Sequence, residues 1–323
     1  MLTRRRAIAT ASVLCVSMAS SGRVFASRAG SRTPVAFEVP RGACDTHVHI
    51  VGNPAEFPMS KDRDYTPPPA TADEYLRVLK VLNCDRAIIV TPTVYGSDNS
   101  ATLSAIRLLG RDRARGVGLV DENTSPEILD AMSKGGIIGM RLFLYGGGPF
   151  NSAAAARRLH TRIDLAEKRR WHIQISTPPD VIAALSSQLA SSPVPLVLDY
   201  FAWIQGGIDQ PGFDIVLSLV KSGHVYVKLA EPYRLSKRGP DYPDLVPVVR
   251  ALVAANPDRL LWGSGWPHVD SSAPAGRAKT DLSPNLPVDT VHLLNLFATW
   301  VRDPETRRKI LVDNPARLYG FQP

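Results

Sequence analysis

A single (β/α)8 barrel, a TIM barrel, is the fold this sequence predicts, on three observations. From Ala43 onward, eight short apolar runs alternate with longer stretches of helical period, which is the pattern of a parallel sheet joined by crossover helices. The chain has 323 residues, 44% of them hydrophobic, which accommodates one barrel of about 250 residues. An open doubly wound sheet would alternate in the same way, but its phosphate-binding fingerprint is missing. No G-x-G-x-x-G follows the first run, and Gly146-Gly147-Gly148 comes only after the fourth.

The strands are expected at 43–48, 86–90, 115–120, 138–143, 171–175, 196–199, 225–229 and 260–263. Helix starts are marked between them. Thr71 and Glu74 have capping-box spacing, Ser125-Pro126 places proline at a first helical position, and Asp180 opens a run to Leu189. The longest helix is expected over 153–170, with its many arginines on a solvated face. A last pair, 288–300 and 304–312, would close the outer ring.

Ahead of the barrel, residues 1–26 read as a twin-arginine signal. Arg4-Arg5-Arg6 precedes a mildly apolar run, and Val24-Phe25-Ala26 offers a cleavage site. That run is shorter than the ~20 residues of a spanning helix, so a folded periplasmic protein without stable membrane association is expected. Residues 27–40 form a polar lead-in, and 41–323 the barrel domain. Removing 1–26 takes away four arginines and no acid, so the net charge of +8 falls to +4. This mild excess is no nucleic-acid footprint. Cys15 lies in the signal; Cys44 and Cys84 are expected as buried free thiols, with a disulfide between them as the alternative in an oxidising compartment.

Function is expected at the C-terminal ends of the strands. His47 and His49 are two apart on the first strand and so face the same way, into the barrel. They are either half of a metal site, needing two or more further ligands, or a hydrogen-bonded core pair.

Three segments carry a resemblance: Ala43-Cys44-Asp45-Thr46-His47-Val48-His49, Trp262-Gly263-Ser264-Gly265-Trp266-Pro267-His268, and Asn314-Pro315-Ala316-Arg317-Leu318-Tyr319-Gly320-Phe321. With them the chain resembles the amidohydrolase superfamily from about Arg41 to its end. Within that superfamily it is similar to the lactone-acting branch of 2-pyrone-4,6-dicarboxylate hydrolases and galactarolactone isomerases. The resemblance implies a metal-independent activity. Metal-binding members add histidines after the fifth and sixth strands, often a lysine after the fourth, and an aspartate after the eighth that takes the proton of the attacking water. Here those places hold Ser176, Tyr200, Arg141 and Gly265. No metal or other cofactor is expected, although a divalent ion held weakly by His47 and His49 is compatible with the sequence.

The resemblance also implies substrate contacts from Tyr65, in Arg63-Asp64-Tyr65-Thr66-Pro67, and from Arg141 and Arg234. Two guanidinium forks at a barrel mouth suit a small anionic substrate. A further basic residue of the pyrone hydrolases falls near Gly147 here, which argues against a dicarboxylated pyrone. The titratable groups expected at the mouth are His47, His49, Tyr200, Glu231 and His268. Histidine is the default proton carrier because its pKa lies near working pH, Tyr200 is a candidate oxyanion donor, and His268 a candidate substrate contact.

The expectation is therefore a hydrolase opening a carboxylate-bearing lactone or cyclic ester. Three alternatives stand beside it: a lactone isomerase, a catalytically silent carboxylate-binding barrel, and a metal enzyme drawing ligands from Glu231 or His268.

Overall fold

The computed structural model describes residues 33–144, 150–205, 207–272 and 274–322. The signal at 1–26, residues 27–32 of the lead-in and the triple-glycine loop lie outside the described residues.

Eight parallel strands follow one another in chain order: β1 (Cys44–Val48), β2 (Arg86–Val90), β3 (Ala114–Gly118), β4 (Ile137–Phe143), β5 (His172–Ser176), β6 (Leu196–Leu198), β7 (Val225–Ala230) and β8 (Leu260–Gly263). The last strand returns to the first. Gly265 N–H donates to the His47 carbonyl at 2.8 Å, and His49 N–H to the Trp266 carbonyl at 2.9 Å. Asp45 locks this closure by accepting from Ser264 N (2.8 Å) and Oγ (2.5 Å) and from Tyr75 OH (3.0 Å). The fold is the (β/α)8 barrel that the alternation predicts.

The outer ring holds α1 (Ala72–Leu82), α2 (Ser100–Leu109), α3 (Pro126–Gly135), α4 (Ser152–Glu167), α5 (Pro179–Ala184), α6 (Ser186–Ala190), α7 (Phe213–Lys221), α8 (Val246–Ala255), α9 (Thr290–Trp300), α10 (Pro304–Arg308) and α11 (Asn314–Tyr319). Thr71 and Glu74 make both bonds of the capping box at α1, and Ser125 Oγ accepts from Ile128 N–H at α3. Two expectations are corrected. The run from Asp180 to Leu189 is two short helices meeting at Leu185, entered from Pro178 and Pro179 rather than capped by Asp180. The long fourth helix ends at Glu167, and Arg170 turns into the left-handed region at φ 55°.

A large core packs the helices against the sheet, while Cys44, Ile88, Val90, Val117, Val197, Tyr226 and Leu261 fill the barrel interior over Tyr319 and Phe321. Cys84 belongs to the outer core and Cys44 to the inner one, so the sheet separates them. Both are buried free thiols. Among the described residues, no helix is long and apolar enough to cross a membrane.

At the barrel floor, Asn314 is buried, and its Nδ2 donates to the carbonyls of Pro257 (2.8 Å) and Leu260 (2.9 Å). It pins the last helix to the entry of β8. The Phe321 ring lies between the guanidinium groups of Arg115 (4.8 Å) and Arg86 (5.2 Å).

Candidate active site

The side chains that meet at the mouth come from the ends of β1, β4, β6, β7 and β8. His47 is fully buried between two carboxylates, with Nδ1 3.4 Å from Asp199 Oδ1 and Nε2 3.6 Å from Glu231 Oε1. Tyr200 OH lies 3.5 Å from the same Nε2, and the His49 ring meets the His47 ring edge-on at 5.1 Å.

His49 Nδ1 lies 2.7 Å from the Val90 carbonyl. A carbonyl only accepts, so Nδ1 carries the proton and Nε2 presents a lone pair. Burial, then the neighbouring His47 and Arg141, push this imidazole down to about 3. Burial and Lys228 likewise hold His47 well below the usual imidazole range, and burial brings His268 to about 3. The protonated form is thus disfavoured in all three rings, and with Nδ1 donating, His49 Nε2 is placed to accept a hydrogen bond and not to donate one to a carbonyl oxygen.

The carboxylates complete the picture. Burial alone would raise Glu231, but Arg234 and the two histidines outweigh it and hold the carboxyl below its usual range. Its Oε2 accepts from Arg234 Nε, and its Oε1 has no hydrogen-bond partner. Below it runs a buried chain. Lys228 Nζ donates to the Thr46 carbonyl (2.7 Å) and to Gln174 Oε1 (2.6 Å), and Gln174 Nε2 donates to Asp199 Oδ2 (3.0 Å). Burial lowers Lys228 to about 8, against the pull of Asp199.

A pocket over this cluster is lined by His49, Val51, Tyr65, Pro67, Pro92, Arg234, Gly265, Pro267 and Val269. Tyr65, His49 and Arg234 thus share its wall. Arg234 Nη1 donates to Ser271 Oγ at 3.0 Å, and its guanidinium lies 5.3 Å from the Tyr200 ring. Arg141 is set deeper: its Nη1 donates to the Thr91 carbonyl at 3.1 Å, and its Nε has no partner. His268 uses both ring nitrogens on the protein, with Tyr233 OH at 3.2 Å and Thr290 Oγ1 at 2.8 Å. It steadies Tyr233 and does not line this pocket.

The loops carrying these groups are strained. Tyr200, Phe201, Ala202 and Trp203 all have φ between 52° and 59°, and Glu231 and His268 lie at 56° and 59°. Such conformations cluster where surrounding structure forces a functional geometry.

His47, His49 and Glu231 bring three ligand-type atoms within 4.8 Å of one another. A zinc shell with bonds of about 2.0–2.1 Å needs donors roughly 3.3 Å apart. One Glu231 oxygen is already held by Arg234, and Arg141 and Lys228 add positive charge around the histidines. As it stands the donor set fits a dication poorly.

Lys228 and Gln174 escaped notice in the sequence, although a lysine inside the apolar run Val225-Tyr226-Val227-Lys228-Leu229-Ala230 was a signal. Asp199 Oδ1 lies 3.4 Å from His47 Nδ1, and Asp45 accepts from Ser264 and Tyr75. The structure gives each of them a partner to orient.

The amidohydrolase family model matches residues 44–321. The chain belongs to the amidohydrolase family. It is 35% identical over 295 residues to 4-sulfomuconolactone hydrolase of Rhizobium radiobacter, covering 89% of this chain and 93% of that protein. To 2-pyrone-4,6-dicarboxylate hydrolase of Comamonas testosteroni it is 30% identical, covering 88% and 92%. A solved apo structure from Agrobacterium tumefaciens superposes with a TM-score of 0.74 at 26% identity, covering 90% of this chain and 100% of that one. For this amidohydrolase, the family's eighth-strand position is Gly265, and the nearest carboxylate comes from β7.

Proposed function

We propose that this amidohydrolase is a periplasmic, metal-independent hydrolase of a lactone or cyclic ester that bears an anionic group. The observation that carries the reading is Arg234. It forms part of the pocket wall beside Tyr65 and His49 while its Nε holds the buried Glu231 carboxylate. A guanidinium with donors left over recruits an anion bidentately. Hydrolytic relatives named for a sulfonated and a dicarboxylated ring support the same class.

In this reading the anionic group rests on Arg234, with Arg141 adding positive potential from below. The ring carbonyl lies toward the Tyr200 and Tyr65 hydroxyls. Burial holds both phenols above their usual range, so they remain protonated donors. His49 Nε2 accepts one hydrogen of the attacking water and orients it. The basic cluster at Arg4-Arg5-Arg6 supports export.

The test is proton NMR of a panel of muconate-type, sulfonated and sugar-acid lactones incubated with the protein, with and without chelator. Ring opening that survives the chelator is the expected result. Lactone migration would assign the isomerase alternative. Thermal stabilisation by the same compounds without any turnover would assign the silent barrel.

A further inference from the structure

Gly265, at φ 75°, is where the eighth strand leaves the barrel. A Cβ built there would meet Glu231 Cγ at 2.2 Å and Cδ at 2.8 Å. Real Cβ atoms do not approach so closely, so the Glu231 carboxyl occupies the volume that a short side chain at 265 would fill. It enters from β7 instead of β8, at the cost of a left-handed backbone at φ 56°. Strained backbone at 231 and the bare position at 265 are two halves of one arrangement: one volume, one carboxylate.

That carboxylate is set up to receive a proton. It is 1% exposed and next to Gly265, which lines the pocket. Oε1 makes no hydrogen bond and has His47 Nε2 only at 3.6 Å, whereas Oε2 is fixed by Arg234. A buried carboxylate oxygen left without a donor is unfavourable, and a water bound during the reaction supplies the missing one. Of the two buried carboxylates beside His47, Asp199 and Glu231, each with one oxygen lacking a hydrogen bond, Glu231 is the one packed against the pocket-lining Gly265.

We propose that Glu231 is the catalytic base of the hydrolase, a role that rests on the lactonase reading above. Water gives one proton to Glu231 Oε1 as its oxygen bonds to the lactone carbonyl carbon, and the carbonyl electron pair moves onto oxygen. The pair then returns, the ring C–O bond breaks, and the departing alkoxide takes the proton back from Glu231. The product is an open hydroxy acid and the enzyme is restored. An anion drawn to Arg234 shares that guanidinium's charge and so raises the proton affinity of the carboxylate beside it.

The experiment compares E231Q, G265D and E231G/G265D on whichever lactone the wild-type protein opens. E231Q is expected to fold, to be stabilised thermally by cis,cis-muconate as the wild type is, and to lose about 100-fold or more in kcat with little change in KM. G265D alone crowds two carboxylates into one volume and should be as poor as E231Q. The double variant should recover at least about tenfold over E231Q, because glycine suits the left-handed backbone at 231 and the new aspartate re-enters the same volume. An E231Q kcat within about threefold of wild type overturns the proposal and leaves the lactonase reading standing. A wild type that opens no lactone removes both. One divalent ion per chain, bound by wild type and lost in E231Q, also overturns it, since Glu231 would then be a ligand.

Discussion

His49, His172 and His268 each lie near a pKa of 3 because burial disfavours the imidazolium. In the unfolded chain the same rings titrate near about 6.5. Below that pH the unfolded state takes up protons that the folded state refuses, so stability is whole above about 6.5 and is lost as pH falls toward 3. Three protons give a limiting slope of about 4 kcal/mol per pH unit. Asp45 and Asp199, raised by burial, act in the opposite sense at lower pH and offset part of this loss. Urea midpoints measured at pH 7, 6 and 5 should therefore fall steeply; a flat series would show that these rings are accessible to protons. The histidine pair was legible in the sequence because alternation in a strand fixes which side chains share a face. Their weak basicity was not, since it arises first from burial and then from the charges of Lys228 and Arg141, brought beside them only by the closed barrel. Glu231 was visible as a candidate, yet choosing between a plain ion pair with Arg234 and a reacting carboxylate required the clearance at Gly265.

At the scale of single elements, β7 does more than hold its neighbours. Its Lys228 carries a buried charge through Gln174 to Asp199, and so reaches the carboxylate beside His47. Replacing Lys228 with methionine preserves the length of the side chain but leaves the Thr46 carbonyl and the Gln174 oxygen without a donor, and Asp199 without its cation. The expected loss is about 3 kcal/mol by urea denaturation. A loss below about 0.5 kcal/mol, the range of ordinary surface substitutions, would mean that the chain is not structural support. All eight strands were readable to within a few residues because strands buried on both faces are predominantly apolar. The break in the fifth helical segment was not readable, because the apolar period runs through the turn at Leu185.

For the whole molecule, the two ends of the barrel have separate tasks: chemistry at the mouth, and closure at the floor by Asn314 and Phe321. Phe321→Ala should remove a buried ring from between two guanidinium groups and cost about 3 kcal/mol, measured by thermal or urea unfolding. Lactone turnover at low temperature should be retained. A parallel loss of turnover in folded protein would show that the floor is coupled to the mouth. The ring order itself was legible, and so was the helix over 304–312; what was not legible is that it widens to a π-helical stretch at Lys309–Asp313 and continues into α11.

The His47 carbonyl receives the Gly265 amide, so the first strand and the last are neighbours although more than two hundred residues separate them along the chain. A ribosome making this protein releases β1 long before its partner exists. Until β8 emerges, β1 presents an unpaired edge, and such edges recruit other strands. Completion of the barrel thus waits for β8, and the nascent chain's exposure to aggregation or chaperones is set by the time needed to translate the interval between those two strands.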